Sequence, residues 1–129
     1  MLGVIAGDII GSPYEFDNTT DENFPLFNEN SKFTDDTVLS VATADTILNA
    51  GDYIESYQDY YDKYPGSGYG KYFATMAKNH SLGPYNSYGN GSAMRVIPIA
   101  WAYDSIEDAL EEAQKSSEVT HNHPEGIKG

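Results

Sequence analysis

The feature that most constrains the fold is the spacing of the apolar residues, which follows the helical period along most of the chain. Ser, Thr or Asp precedes several apolar runs, and Gly or Pro follows them, as expected at helix starts and ends. No stretch shows a convincing alternation of apolar and polar residues. We therefore expect an all-α protein, a compact helix bundle with irregular loops.

Length and composition are consistent with one domain at most, covering residues 1–129, because 40% of the 129 residues are hydrophobic. The absence of cysteine excludes disulfide frameworks and thiolate metal sites, and we expect a reducing, cytoplasmic location. No apolar stretch is long enough to span a membrane. The N-terminal stretch has no basic lead and is interrupted by Asp8, which is not typical of a signal peptide.

The charge balance is strongly acidic, with twenty Asp and Glu against seven Lys and Arg and a net charge of −13. Proteins that bind nucleic-acid backbones need the opposite balance, so we expect no such partner. Acidity of this kind is typical of a well-solvated surface. A ligand that carries phosphate would need local help from helix N-termini, glycine-loop amides or divalent cations.

The first helix is predicted in the stretch GVIAGDIIG, where Gly3, Gly7 and Gly11 fall on one face. Each glycine inside a helix costs roughly 1 kcal/mol against alanine, so three in register indicate a packing or functional reason. We expect a mostly buried helix with a neighbouring backbone packed closely against that face. Asp8 is then either a hydrogen-bonded structural residue or part of a site.

The next stretch, Ser12-Pro13-Tyr14-Glu15, has the form of a capping box. Glu15 is therefore either a helix cap or an acid that faces inward, and both readings remain open at this point.

Adjacent aspartates mark the next helix start, in the sequence Thr34-Asp35-Asp36-Thr37. Thr34 can cap the helix, and each carboxylate favours the positive helix end by about 0.3–1 kcal/mol. Capping alone explains the motif, but the same oxygen atoms are also suitable ligands for a hard metal ion. The helix is expected to end near Gly51.

A glycine-rich loop, SLGPYNSYGNG, precedes a helix that we expect to open at Ser92 and to kink at Pro98. A glycine loop before a helix N-terminus can bind an anion through free amides, although it can also be an ordinary capped loop. A final helix is predicted from Ser105, with Ile106 and Leu110 on its inner face.

Two histidines, His121 and His123, lie in the last motif, THNHPEG. Their spacing is not one of the common helical zinc patterns and Pro124 limits helix formation, so we do not favour zinc.

Four stretches together resemble the ADP-ribosylglycohydrolase family, of the dinitrogenase-reductase-activating type. They are GVIAGDIIGSPYE at 3–15, FTDDT at 33–37, SYGNGSAMRVIP at 87–98 and THNHPEGIKG at 120–129. Each stretch is ordinary alone, and four in the same order make a specific signal. The resemblance implies a compact orthogonal helix bundle of that family's type. It also implies a centre of two Mg²⁺ ions, with Mn²⁺ in some members, and hydrolysis that removes ADP-ribose from modified protein side chains or related O-glycosidic compounds.

The resemblance also implies roles for individual residues. Thr34, Asp35 and Asp36 match metal ligands. Glu15 matches an acidic residue near the entrance of the site with a gating or catalytic role, and Glu15, Asp35 and Asp36 are the expected catalytic residues. Asp8 matches a position that supports the metal centre from outside its ligand shell. The residues expected to bind ADP-ribose or an ADP-ribosylated protein are Ser87, Tyr88, Gly89, Asn90, Gly91 and His121.

One departure from the family pattern concerns the second ligand group. The family carries a further acidic motif of the GGDTD type in its C-terminal half, and no such motif follows Gly126. We therefore expect an N-terminal part of a single domain, apparently truncated, whose exposed apolar faces favour a homodimer or a complementary chain. The alternative is a non-catalytic module that binds ADP-ribose or a nucleotide, or a structural module on a glycohydrolase scaffold.

Overall fold

Helices supply all the regular secondary structure of the computed structural model, which describes residues 1–129 and contains no strand. A 3₁₀ turn, Ser12–Tyr14, follows the first helix directly. The α-helices are α1 (Leu2–Gly11), α2 (Asp35–Asn49), α3 (Tyr53–Lys63), α4 (Lys71–Lys78), α5 (Ile97–Ala102), α6 (Ile106–Glu118) and α7 (Pro124–Lys128). The prediction of an all-α fold is therefore confirmed. No helix combines the length and the apolar character needed to cross a bilayer.

The ends of α2 are defined by local hydrogen bonds. At its start, the Asp36 amide donates to the Thr34 side-chain oxygen at 3.3 Å, which makes Thr34 the N-cap. At its end, Ala50 adopts a left-handed conformation with φ of 50°, and the Gly51 amide donates to the Thr46 carbonyl at 2.9 Å. Both predicted boundaries of this helix are confirmed to within a residue or two.

The hydrophobic core lies between α2, α3 and α4. Its fully buried members are Leu39, Ala42, Tyr53, Tyr57, Phe73, Met76 and Ala77. Two tyrosines of α3, Tyr53 and Tyr57, are thus core residues. The Tyr57 hydroxyl is paired with the Thr43 hydroxyl at 2.9 Å, so its polar atom is satisfied inside the core. The core positions α2, whose first turn carries the adjacent aspartates.

The prediction for α1 was wrong in one respect, because this helix contains no buried residue. A Cβ atom built on Gly3, Gly7 or Gly11 meets nothing within 4 Å. The glycine face therefore has no neighbouring backbone against it and instead lines an open cavity. The helix contacts α2, and its Asp8 carboxylate accepts hydrogen bonds from the start of that helix.

Two further local predictions were wrong. The Ser12 hydroxyl donates to the Ile9 carbonyl at 3.0 Å and accepts from the Lys32 amide at 3.0 Å, so it closes α1 and caps no following helix. Pro98 lies in the first turn of α5, where its missing N–H costs nothing, and it therefore starts that helix without kinking it. Residues 92–95 form turns that precede α5.

The expected inner face of α6 is also mostly exposed. Ile106 and Leu110 are 74% and 65% exposed, whereas Ser116 and Ser117 are buried. The apolar side chains of α6 instead form one wall of an open groove of about 340 Å³ shared with α5. The buried residues of α6 lie in its C-terminal turns, where Arg95 donates to the Ser116 carbonyl.

Candidate functional site

The Asp8 carboxylate joins α1 to the start of α2. One oxygen, Oδ2, accepts hydrogen bonds from the Thr34 amide at 2.8 Å and the Thr37 amide at 3.1 Å. The other, Oδ1, accepts from the Thr34 hydroxyl at 2.6 Å. Unpaired amides at a helix N-terminus attract a carboxylate, so Asp8 acts as a distant second cap of α2. It also orients the Thr34 hydroxyl, which leaves one oxygen lone pair free.

Carboxylates crowd around this helix start without a compensating cation. Burial, followed by the charge of Asp36, raises the pKa of Asp35 to about 6. Burial, followed by the charges of Asp8 and Glu15, also raises the pKa of Asp36. None of the ion pairs in the chain involves these four acids. Such a cluster has the electrostatic character of a cation site, because a bound cation would relieve the mutual repulsion.

The predicted site residues line two cavities that share one side chain, Met94. The first cavity, of about 450 Å³, lies under the glycine face of α1 and is lined by Asp8, Glu15, Thr34 and Asp36, among others. The second, of about 220 Å³, is lined by Asp35 together with Ser87, Gly89, Asn90, Gly91 and His121. The adjacent aspartates therefore face neighbouring cavities, one on the acidic side and one on the glycine-loop side.

Tyr88 is the one predicted binding residue that lines neither cavity. Its side chain is 76% exposed, and its ring lies 5.3 Å from the ring of His123.

The THNHPEG motif holds the glycine loop in place. The Ser87 amide donates to the Thr120 carbonyl at 3.3 Å, and the Asn86 amide donates to the Asn122 side chain at 2.7 Å. On the other side of the loop, the Ser92 hydroxyl donates to the Gly126 carbonyl at 3.1 Å. These contacts join segments more than thirty residues apart, so the two sequence motifs form one structural unit.

Close packing explains two glycines of this unit. A Cβ atom on Gly126 would overlap the Ser87 carbonyl oxygen, and one on Gly91 would lie 3.0 Å from the His121 ring. Any larger residue at either position would displace the loop or the histidine. The sequence shows that this region is rich in glycine, but it does not show which contacts require the glycines.

His121 is buried at the base of the glycine loop. Burial, followed by the positive charge of Arg95, lowers its pKa to about 4, so the imidazole is neutral at pH 7. Its Nδ1 atom lies 2.7 Å from the Thr120 hydroxyl. Its Nε2 atom makes no hydrogen bond within the chain and faces the second cavity. The ring can therefore offer a neutral polar atom to a ligand there.

The zinc reading of the two histidines gains no support. The Nδ1 atom of His123 accepts the Glu125 amide at 3.1 Å and caps α7, while His121 is bonded to Thr120. No group of three or more His, Cys, Asp or Glu side chains in this chain is arranged to hold a metal ion. The residues that fit a hard cation are the hydroxyl and carboxylates of Thr34, Asp35 and Asp36, which form an incomplete set.

Arg95 is the residue of this region that sequence reasoning missed. Its side chain is fully buried and donates to the Ser116 carbonyl and the Thr120 hydroxyl, both at 2.8 Å. Its guanidinium also lies 4.2 Å from the centre of the Tyr57 ring. The available signal was a single arginine within the otherwise apolar run AMRVIPIAW, because a buried cation needs specific partners.

Comparison with known proteins supports the resemblance. A family model described as ADP-ribosylglycohydrolase matches residues 1–129. ADP-ribosylhydrolase ARH3 of Homo sapiens is 30% identical over an alignment that covers 100% of this chain and 45% of that protein. The Xenopus tropicalis ADP-ribosylhydrolase ARH3 is 29% identical, with 100% and 45% covered, and that of Danio rerio 25% identical, with 100% and 43% covered. The chain therefore spans less than half the length of these curated relatives.

Proposed function

This chain belongs to the ADP-ribosylglycohydrolase family, and we propose that it carries the ADP-ribose-binding side of a metal-dependent hydrolase. The substrates proposed are ADP-ribosylated protein side chains or related O-glycosidic ADP-ribose compounds. One observation carries the proposal: the acidic cavity and the glycine-loop cavity adjoin at Met94, and the adjacent carboxylates of α2 line one each, Asp36 the first and Asp35 the second. In ADP-ribose a diphosphate joins the terminal ribose to adenosine, so the diphosphate would lie in the glycine-loop cavity and the terminal ribose in the acidic cavity.

The glycine-loop side suits the diphosphate. Glycines such as Gly89 and Gly91 let a ligand approach the backbone closely. Backbone amides are neutral hydrogen-bond donors, which an acidic protein can offer to an anion. Ser87 and Asn90 add polar side chains at the rim of this cavity, and His121 lies at its base. The net charge of −13 makes such local donors necessary, since the overall field repels a phosphate.

The acidic side suits Mg²⁺, or Mn²⁺ as in some family members. Thr34, Asp35 and Asp36 would hold the metal, with Asp8 supporting Thr34 through the 2.6 Å hydrogen bond. When bound, the metal would supply positive charge that orients ribose hydroxyl groups and activates water. Glu15 lines the same cavity as Asp36, and these carboxylates are the groups available to accept a proton from that water.

A second candidate function is ADP-ribose binding without hydrolysis. The observation that favours it is the contrast between the two sides of the site. The glycine loop is joined to the THNHPEG motif by three hydrogen bonds, whereas no group of three His, Cys, Asp or Glu side chains is arranged for a metal. Since Mg²⁺ needs near-octahedral oxygen coordination, an incomplete ligand set holds it weakly.

Calorimetry with ADP-ribose, with and without Mg²⁺ at matched ionic strength, tests the proposal. We expect binding that Mg²⁺ strengthens, and we expect Asp35→Asn and Asp36→Asn to remove the Mg²⁺ effect. Asp59→Asn is the matched control, because Asp59 is an exposed acid of α3.

Incubation with an ADP-ribosylated peptide then separates the two candidate functions. Release of ADP-ribose supports the hydrolase, and binding without release supports the non-catalytic module. No heat of ADP-ribose binding with or without Mg²⁺ would rule out both functions for this chain.

A further inference from the structure

A buried polar chain runs behind the glycine-loop cavity and begins at Arg95. The guanidinium has no carboxylate within ion-pair distance, and its two hydrogen-bond acceptors are the Ser116 carbonyl and the Thr120 hydroxyl. A buried cation held by fixed neutral acceptors keeps those acceptors in one orientation. The Thr120 oxygen is therefore always an acceptor toward Arg95.

The single hydrogen of the Thr120 hydroxyl then has two possible destinations. The Nδ1 atom of His121 lies 2.7 Å away, and the Ser117 carbonyl lies 3.4 Å away. Hydroxyl hydrogen bonds are strongest near 2.7–2.8 Å and weak at 3.4 Å. The hydrogen is accordingly directed to His121 Nδ1, which must then be the unprotonated ring nitrogen.

We propose that Arg95 is a positioning residue that, through Thr120, holds His121 in the neutral tautomer with its hydrogen on Nε2. This atom would lie 3.2 Å from a Cβ on Gly91, so it faces the inside of the glycine loop. Its N–H is thereby a ready hydrogen-bond donor for an oxygen atom of the ligand. The inference deepens the proposed function and rests on it for the identity of that ligand, ADP-ribose.

The opposite tautomer fits the surroundings poorly. A hydrogen on Nδ1 would have to be accepted by Thr120, whose own hydrogen would be left with the contact of 3.4 Å to Ser117. The Nε2 lone pair would then face the phosphate oxygens of a ligand and repel them. The pKa of about 4 agrees with a ring that stays neutral, so the tautomer alone decides what the ring offers.

Long-range ¹H–¹⁵N NMR of the imidazole rings in the full chain at pH 7 tests the tautomer directly. His123 is an internal reference, because its Nδ1 accepts the Glu125 amide and its neutral ring must carry hydrogen on Nε2. We expect the Nε2–H form of His121 in the unmodified chain and in Thr120→Ser, which keeps the hydroxyl. We expect a mixture of tautomers in Thr120→Val and in Arg95→Met.

Arg95 is buried, so replacing it can prevent folding. If Arg95→Met does not fold, the comparison of Thr120→Val with Thr120→Ser decides the outcome. An Nδ1–H signal in the unmodified chain, or an unchanged Nε2–H signal in Thr120→Val, would overturn the proposal.

Titration with ADP-ribose separates this inference from the proposed function. We expect Thr120→Val to weaken binding about tenfold and Thr120→Ser to bind normally, because a misdirected donor forfeits a hydrogen bond to a charged group. If the tautomer is as expected but ADP-ribose does not bind the unmodified chain, the proposed function fails and the positioning role stands. If Thr120→Val loses the tautomer and binds ADP-ribose equally well, the donor role is wrong.

Discussion

At the scale of single residues, the two sides of the site differ in how burial acts on an ionisable group. Burial raises the pKa of Asp35 and lowers that of His121, because in each case it disfavours the charged form. Neighbouring charges act in the same direction: Asp36 repels a charged Asp35, and Arg95 repels a protonated His121. The result is a neutral histidine beside the glycine loop and a pair of carboxylates whose mutual repulsion a bound cation would relieve.

The lowered pKa of His121 predicts a specific loss of stability in acid. Between pH 6.5 and about 4 the unfolded chain binds a proton at this residue while the folded chain does not. Its contribution is therefore fully present above pH 6.5 and is lost as the pH falls toward 4. Between pH 7 and pH 5 we expect the unmodified chain to lose about 2 kcal/mol more unfolding free energy than His121→Asn, measured with urea.

An NMR titration in which the His121 ring protonates near pH 6.5 would contradict the prediction.

At the scale of elements, α2 connects the core to the site, and its ends show what local sequence can specify. Capping by Thr34 follows from its position before two acids, and the structure confirms it. The C-terminal end was predicted from Gly51, yet the left-handed residue is Ala50. The exact end of a helix varies by a residue or two, because it depends on which of the last carbonyls accept hydrogen bonds. The donors come from the residues that follow the helix.

Ala50→Gly is therefore expected to stabilise the protein by about 1 kcal/mol, because a left-handed conformation costs an alanine energy that glycine avoids. Urea unfolding at pH 7 measures the change. Ala44→Gly, in the interior of the same helix, is the matched control and should cost about 1 kcal/mol. A destabilising Ala50→Gly would show that flexibility gained in the unfolded chain outweighs the strain relieved.

At the scale of the whole molecule, charge and exposed apolar surface are the dominant features. The chain has twenty acidic side chains and only seven basic ones, so the excess carboxylates repel one another across a small protein. Large apolar side chains, including Trp101, Leu48 and Ile106, are more than 70% exposed. A homodimer or a complementary chain that would cover such faces stays a prediction, as does the cytoplasmic location.

The acidic charge predicts that salt stabilises the fold. Raising NaCl from 0.01 to 0.1 M shortens the screening length from about 30 to about 10 Å, which weakens repulsion between separated carboxylates. We expect a gain of about 1 kcal/mol, or roughly 4 °C in the thermal midpoint followed by circular dichroism. KCl should act equally, since the effect is one of ionic strength. A midpoint that stays constant or falls would contradict the prediction.

The sequence by itself determined the helical class, the cap of α2 and the residues that carry the family resemblance. These depend on spacing and on contacts within a few residues, which the order of residues already specifies. The tertiary structure alone decided that the α1 glycines line a cavity, that Asp8 caps a helix 26 residues away, and that Arg95 lies behind His121. Such relations depend on how separate helices pack, and no local pattern records that packing.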